Sequence, residues 1–374
     1  MKPFIYADHA ATTKLDEDAL AAMMPFLTGE YGNPSQPYAF GRKARQALQE
    51  ARATVAACIN AEPEEIFFTS GGTESDNWAI RGATFGNAPG RGIVTSAVEH
   101  HAVLRSCEDA ERLGCPVSYL PVTEEGVVTA EMLRTAMLPD TGLVSVMLAN
   151  NEIGTVQPIC RLSAIAHEEG ALFHTDAVQA VGHIPVDVKE LGVDLLSASA
   201  HKFNGPKGVG FLYVKKGTSI TPYALGGAQE SGLRAGTENV ASLVGMAVAL
   251  QKNCLAMDKH TSHIRQLEEL LIRRLRSANV DFIRNGRPGG IPGNLSLSFP
   301  HSDGEALLHR LDLKGICVST GAACDTVSTQ ISHVLKAIGL PESYARGTVR
   351  ISLGKSNTAE EAEAIARALI SILR

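Results

Sequence analysis

A lysine stands in an unusual setting within the segment 197–208, SASAHKFNGPKG. Lys202 follows the mainly apolar run Val193–Leu196 and lies among small residues and turn formers, which a solvated lysine does not require. A surface charge is the ordinary explanation. In a partly desolvated crevice, however, a lysine amine has a depressed pKa and becomes a nucleophile. The setting of Lys202 therefore points to a reactive amine.

Polar residues follow apolar runs at four other places in the same way. The five clusters are Thr73/Glu74, Glu99/His100, Asn150/Asn151, Asp176/Gln179 and His201/Lys202. In an open parallel sheet, ligands bind outside the carboxyl ends of the strands. One such cluster is weak evidence, but five at matching positions predict a shared crevice.

The residue types in these clusters suit one cofactor. The segment 70–75, SGGTES, joins a strand to a helix whose free N–H groups suit a phosphate, although alone it is better explained as an ordinary capped helix start. Asp176 is either a turn former or the partner of a cationic ring nitrogen, and His100 is by default a structural histidine. Phosphate cradle, carboxylate and reactive lysine together describe pyridoxal phosphate, which needs a Schiff-base lysine and an acidic partner for its pyridinium nitrogen.

A metal-dependent hydrolase is the alternative from another class of protein. Its candidate ligands are His100, His101, His174, Asp176 and His201. His-x-Asp is a weak metal signal, and the lysine beside His201 has no role in such a site. We therefore expect pyridoxal phosphate and no metal.

Strands and helices must alternate to position these residues. The predicted strands are Glu65–Thr69, Gly92–Thr95, Leu143–Leu148, Ala171–Phe173, Val193–Leu196 and Gly208–Val214. Helix-like segments separate most of them between about residues 50 and 255. Such alternation predicts βαβ units, a mostly parallel sheet and an α/β fold.

Composition and charge argue against several classes of protein. The 374 residues suggest about two domains, with an ordinary globular balance of 44% hydrophobic and 20% charged residues. The net charge of −6 gives no electrostatic case for nucleic-acid binding. No apolar run reaches the ~18 residues of a membrane span. The N-terminal sequence shows no signal-peptide core, so we expect a cytoplasmic protein.

The seven cysteines are odd in number and form no CxxC pair, which argues against a disulfide framework or a zinc ribbon. Most of them are expected to be small buried hydrophobic residues. Cys324 differs, because it lies in the segment 319–325, STGAACD, just after an apolar run. A core cysteine is the ordinary explanation, but the small neighbours favour a loop that exposes the thiol.

Stretches spread in order along the whole chain match one family together. They are Tyr6–Thr13, Gly32–Ser35, Phe68–Ser75, Glu99–His100, Asn150–Gly154, His174–Gln179, Ser199–Lys202, Arg234–Thr237, Gly321–Cys324 and Val349–Gly354. With them the chain resembles the cysteine desulfurases of the NifS/IscS type. These are class V aminotransferase relatives among the fold-type I pyridoxal-phosphate enzymes.

The resemblance implies an architecture and an assembly. A large cofactor-binding domain, residues 15–255, would contain a mostly parallel seven-stranded sheet flanked by helices. A smaller α+β domain, residues 1–14 and 256–374, would carry the cysteine loop. The protein would be a homodimer, in which Thr237 reaches the phosphate of the neighbouring subunit's site.

The resemblance also implies a role for each site residue. Lys202 would form the Schiff base, Asp176 would pair with the pyridinium nitrogen, and His100 would stack on the ring and move protons. The phosphate would be held by Gly72, Thr73, Ser199 and His201. Asn151 and Gln179 would contact the phenolic oxygen of the ring. The substrate would be bound by Asn33, Asn151 and Arg350.

The implied reaction converts L-cysteine to L-alanine. Cys324 would attack the substrate sulfur and keep it as a persulfide for a sulfur-acceptor protein, such as a scaffold of iron–sulfur cluster biogenesis. Asp325 stands where the family commonly has a hydroxyl residue, and a nearby carboxylate should disfavour the thiolate. A selenocysteine lyase or a class V aminotransferase would share every cofactor residue without needing a loop thiol, and Cys324 argues against the aminotransferase.

Overall fold

The computed structural model describes residues 4–85, 91–320 and 331–374. Within these ranges the strands are β1 (Ile5–Tyr6), β2 (Ile66–Thr69), β3 (Gly92–Ser96), β4 (Val117–Leu120), β5 (Thr141–Ser145), β6 (Leu172–Asp176), β7 (Leu195–Ser199), β8 (Gly210–Val214), β9 (Ile283–Asn285), β10 (Asn294–Ser298), β11 (Ile316–Cys317) and β12 (Thr348–Ser352). The α-helices are α1 (Glu17–Thr28), α2 (Arg42–Cys58), α3 (Gly72–Phe85), α4 (His101–Arg112), α5 (Ala130–Ala136), α6 (Ile159–Glu168), α7 (Val188–Leu191), α8 (Val240–Leu255), α9 (Met257–Ser277), α10 (Gly304–Asp312), α11 (His333–Ala337), α12 (Glu342–Ala345) and α13 (Ala359–Leu373).

In the part of the chain that the structure describes, the largest sheet has seven strands in the order β2-β8-β7-β6-β5-β3-β4. The pairs β3–β4, β3–β5, β5–β6 and β6–β7 are parallel. Strand β8 runs antiparallel to both of its neighbours, β7 and β2. The predicted α/β fold with a mostly parallel seven-stranded sheet is therefore confirmed.

Helices cover this sheet because their apolar residues recur at helical spacing. Helix α2 buries Ala44, Leu48, Ala51 and Val55, which share one face, and it packs against α8. The central strands β6 and β7 are almost entirely buried, as expected for parallel strands covered on both faces.

A second hydrophobic cluster lies around a smaller antiparallel sheet, in the order β12-β10-β9. Helices α9 and α13 pack against each other there and contribute Leu271 and Leu369 to the cluster, while the strands contribute Leu297 and Ile351. The division into a domain of residues 15–255 and one of residues 1–14 with 256–374 stays a prediction.

The N-terminal segment connects the smaller part of the structure to the large sheet. Strand β1 pairs in parallel with β11, and Asp8 forms a bridge with Ser352 at the end of β12. A few residues later, the Thr13 N–H and hydroxyl both donate to the His201 carbonyl, at 3.0 and 2.8 Å. Residues 5–13 therefore cross from one sheet to the other.

No single helix within residues 4–85, 91–320 and 331–374 combines the length and apolar character needed to cross a membrane. The consecutive helices α8 and α9 meet those criteria only as a pair bent by 71°.

Candidate active site

A cavity of about 630 Å³ lies at the carboxyl ends of strands β2, β3, β5, β6 and β7. Its size is within the ordinary range for small-molecule sites. Ten residues predicted from the sequence line it: Gly72, Thr73, His100, Asn151, Asp176, Gln179, Ser199, His201, Lys202 and Arg350.

Three predicted residues are not part of this lining. Asn33 is half-buried elsewhere, and its side-chain oxygen accepts a hydrogen bond from the Ser35 N–H at 2.9 Å. Thr237 is exposed on its own chain. Cys324 lies outside the described residues.

Lys202 ends the short 3₁₀ turn Ala200–Lys202, which directly follows β7. Its ammonium nitrogen lies 2.7 Å from the carbonyl oxygens of both Ala10 and Ala11. The turn is compact because Gly205 packs on Ala200, where an added Cβ would meet the Ala200 Cβ at 2.8 Å. The N-terminal segment thus positions the amine in the cavity wall.

Asp176 is the last residue of β6 and is 4% exposed. Burial raises the pKa of its carboxyl to about 6, while the Val178 N–H, which donates to its Oδ1 at 2.8 Å, and the charge of Lys202 oppose this rise. Both opposing groups favour the carboxylate. A cation placed in the cavity against this carboxylate would favour it further.

His100 caps the N-terminus of α4, where its Nδ1 accepts a hydrogen bond from the Ala102 N–H at 3.1 Å. Burial, followed by the charge of Lys202, lowers the pKa of His100 to about 4. The imidazole is therefore neutral at pH 7. Because Nδ1 accepts, the hydrogen bond assigns the proton to Nε2, which makes Nε2 a donor.

The N-terminus of α3 forms another part of the cavity wall, starting at Gly72. A Cβ at Gly72 would come within 2.6 Å of the Val178 Cγ2, so only glycine allows this approach. Free N–H groups at a helix start bind anions. Glu74 in the same turn is paired in bidentate geometry with Arg234, at 2.8 and 3.1 Å, which offsets its negative charge.

His201 is held beside this helix start by Thr12, whose hydroxyl lies 3.1 Å from the imidazole Nδ1. Burial lowers the pKa of His201 to about 4, and the charges of Lys202 and Lys207 act in the same direction. His201 is thus a neutral hydrogen-bonding group at pH 7.

The chemical groups that these residues present in the cavity fit pyridoxal phosphate. The cavity offers a helix N-terminus for a phosphate, a buried carboxylate for a ring nitrogen and a primary amine for a carbonyl carbon. Arg350 adds a buried guanidinium on β12, and its Nη1 donates to the Asn151 carbonyl at 3.0 Å. Such a guanidinium suits a substrate carboxylate.

Sequence reasoning missed several residues of this lining. Thr12, Met147 and Val178 show no pattern that separates them from ordinary neighbours. Asp76 does show one, because it follows Gly72 by four positions in α3 and therefore lies on the same helix face. Its placement beside Asp176 is the main addition that the structure makes to the predicted site.

Of the five candidate ligands of the alternative metal site, His100 and Asp176 come together, whereas His101, His174 and His201 do not belong to their group. Among the described residues, the ligand atoms within 4.8 Å of one another belong to Asp76, His100 and Asp176. His174 lies behind this group and is bound by Ser197, whereas His101 packs its ring on His333 with 4.8 Å between centroids. The five-residue metal site of the hydrolase alternative is therefore not formed.

Comparison with known proteins identifies the family of this chain. Residues 5–365 match the aminotransferase class-V family, and the chain belongs to this family. One relative, "Cysteine desulfurase IscS" of Dictyoglomus turgidum (strain DSM 6724 / Z-1310), is 51% identical over 96% of this chain and 92% of the relative.

Solved structures with a similar fold cover nearly the whole chain. A structure described as a "NifS-like protein" has a TM-score of 0.91 and 38% identity, covering 99% of both chains. A second, "SspA in complex with cysteine", has a TM-score of 0.83 and 34% identity, and covers 95% of this chain and all of its own.

Proposed function

We propose that this chain is a pyridoxal-phosphate-dependent cysteine desulfurase, which converts L-cysteine to L-alanine and retains the sulfur as a persulfide on Cys324. The observation that carries the proposal is the meeting of Lys202, Asp176 and the start of α3 in one cavity. The full-length similarity to a protein named cysteine desulfurase supports the choice of substrate.

Pyridoxal phosphate supplies an electron sink that makes bonds at the α-carbon of an amino acid labile. Lys202 holds the cofactor covalently and moves the α-proton of the substrate. Asp176 pairs with the ring nitrogen, and its burial strengthens this pairing. The neutral His100 would stack on the ring and would donate a hydrogen bond from its Nε2.

The remaining residues of the site bind and orient the cofactor and the substrate. Gly72, Thr73, Ser199 and His201 hold the phosphate. Asn151 and Gln179 contact the phenolic oxygen, and Arg350 with Asn33 and Asn151 binds the substrate. The Gln179 side-chain nitrogen already donates one hydrogen bond to the Ala10 carbonyl at 2.9 Å, which leaves its second N–H and its oxygen available to a ligand.

A two-fold dimer is part of the proposal. Thr237 is exposed and does not line the cavity of its own chain, which agrees with a role in the neighbouring subunit's phosphate site. The sulfur on Cys324 would pass to a thiol of an acceptor protein, such as an iron–sulfur scaffold. We place the enzyme in the cytoplasm, because a persulfide-forming cysteine needs a compartment that keeps thiols reduced.

One experiment separates the proposal from a selenocysteine lyase and from an aminotransferase. Purified holoenzyme is given L-cysteine or L-selenocysteine with a thiol reductant, and alanine, sulfide, selenide and keto acid are measured. We expect alanine and sulfide in equal amounts from L-cysteine. Products from selenocysteine alone, or keto acid without sulfide, would contradict the proposal.

A further inference from the structure

A second buried carboxyl lies beside Asp176. Asp76 in α3 is 1% exposed, and oxygens of Asp76 and Asp176 lie within 4.8 Å of each other and of a His100 ring nitrogen. The Asp76 Oδ1 is buried without a hydrogen-bond partner among the described residues. Two carboxyls this close in a desolvated site do not both ionise, so the pair holds one proton.

The surroundings decide which carboxyl keeps the proton. Asp176 accepts the Val178 N–H and lies in the field of Lys202, and both favour its ionised form. The ionised form of Asp76 is supported by a hydrogen bond with Ser197, and it lacks the neighbouring lysine that favours the Asp176 carboxylate. Burial, the charge of Asp176 and then Glu99 raise its pKa well above the usual range, against a single hydrogen bond with Ser197.

The groups behind Asp76 provide no counter-charge. The His174 Nε2 lies 3.7 Å from the Asp76 Oδ1 but also 3.0 Å from the Ser197 hydroxyl, and its Nδ1 lies 2.9 Å from the Ser145 hydroxyl. Burial lowers the pKa of His174 to about 3, so this imidazole is neutral. Asp76 therefore remains a neutral acid that can donate a proton in a hydrogen bond.

We propose that Asp76 is a positioning residue that donates a hydrogen bond from its neutral carboxyl to the Asp176 carboxylate. A carboxylate that accepts such a bond is a weaker base. Asp176 then leaves the proton on the cofactor's ring nitrogen, which keeps the ring an electron sink. This role of Asp76 rests on the proposed cofactor chemistry.

The test uses two matched variants of the holoenzyme. Asp76→Asn keeps a donor of nearly the same shape and does not titrate, whereas Asp76→Leu keeps the approximate size and removes the donor. Nitrogen-15 NMR of enzyme loaded with ring-labelled pyridoxal phosphate reports the proton on the ring nitrogen. We expect a protonated signal in the wild type and in Asp76→Asn, and a signal displaced toward the unprotonated form in Asp76→Leu.

Cofactor affinity is the second readout. Asp76→Leu loses a hydrogen bond to a charged group, so its dissociation constant for pyridoxal phosphate should rise on the order of tenfold. Asp76→Asn should stay within about twofold of the wild type. Circular dichroism and gel filtration verify that each variant folds.

Infrared difference spectroscopy keeps the proposal testable if Asp76→Leu does not fold. The wild type minus Asp76→Asn spectrum at pH 7 should contain the carbonyl band of a neutral carboxylic acid. Absence of that band, or loss of ring protonation in Asp76→Asn as severe as in Asp76→Leu, would overturn the role of Asp76. A wild type that binds no pyridoxal phosphate would instead contradict the proposed function, and the infrared result would still decide the state of Asp76.

Discussion

The Arg350 Nη2 lies 2.9 Å from the Asp8 Oδ1, and their side chains are only 4% and 19% exposed. The guanidinium proposed to bind the substrate carboxylate is thus already paired with a carboxylate of its own chain. Its Nε is buried without a hydrogen-bond partner among the described residues. An incoming substrate must therefore compete with Asp8 or bind at the remaining edge of the guanidinium.

Asp8→Asn should lower the KM for L-cysteine severalfold, because the amide keeps an acceptor for Arg350 but removes the competing charge. Arg350→Lys should raise KM by about tenfold or more, since a point charge replaces a bidentate fork. Steady-state kinetics with cysteamine, which lacks the carboxylate, serve as the control. Equal effects on cysteamine and cysteine would contradict this assignment.

Lys202→Ala should abolish the adduct that borohydride traps between protein and cofactor, since no other described amine is held by the Ala10 and Ala11 carbonyls. Lys207→Ala is the matched control, because Lys207 lines the same cavity but is exposed. Peptide mapping of the reduced wild type measures the outcome directly. An adduct on Lys207 would show the assignment to be wrong.

A mixed dimer tests whether Thr237 acts across the interface. Lys202→Ala and Thr237→Arg homodimers should both be inactive. A heterodimer of the two would contain one site with an intact Lys202 and an intact Thr237 from the other subunit. Random mixing should therefore restore about a quarter of wild-type activity. No restoration would mean that Thr237 acts within its own chain or that no such dimer forms.

Cys324→Ala separates the ring chemistry from sulfur capture. Cysteine should still bind and change the cofactor spectrum, because Lys202, Asp176 and Arg350 remain. Alanine and sulfide should fall to near background, as no thiol removes the sulfur. Selenocysteine should be less affected, since selenium leaves more readily. This role for Cys324 would be excluded if the variant desulfurated cysteine at the wild-type rate. It would also be excluded if mass spectrometry of the wild type found the persulfide only on Cys317.

Glu99 should make stability depend on pH. It is fully buried, and burial raises its pKa from 4.5 to about 8, although Ser96 and the Met147 N–H donate to its Oε1. Between these values the folded protein keeps a proton that the unfolded chain loses, so stability is fully present below pH 4.5 and falls as pH rises towards 8. The slope reaches at most about 1.4 kcal/mol per pH unit.

Glu99→Gln should remove this dependence, because the amide oxygen can accept the same two hydrogen bonds without titrating. The measurement is the Tm of wild type and variant at several pH values from 5 to 8. The difference between them should widen in favour of Glu99→Gln as pH rises. Parallel curves would contradict the raised pKa.

Much of the cavity could be predicted because strand ends are visible in the sequence. His100, Asn151, Asp176 and Lys202 each follow an apolar run, and all four line the cavity. The polar residues next to them in the sequence do not all line the cavity. Asn150 is buried, and its side-chain oxygen accepts the Glu152 and Ile153 N–H groups, so it supports the turn rather than the site.

Other features of the fold and the site depend on contacts between distant segments, which the local periodicity of the sequence does not reveal. Strand β4 was not predicted, because three of its four residues are not fully buried and the edge strand lacks a continuous apolar run. The antiparallel direction of β8 follows from its short connection to β7. The pair Asp76 and Asp176 joins a helix to a strand 100 residues away, which no local pattern reveals.

The N-terminal segment has a practical consequence for protein engineering. Its Ala10 and Ala11 carbonyls hold Lys202, Asp8 holds Arg350, and Thr12 supports His201. A truncation chosen because the first dozen residues contain little regular structure would remove supports of three site residues at once. Expression designs should therefore keep these residues intact and place purification tags or fusions at the other terminus, where α13 ends on the protein surface.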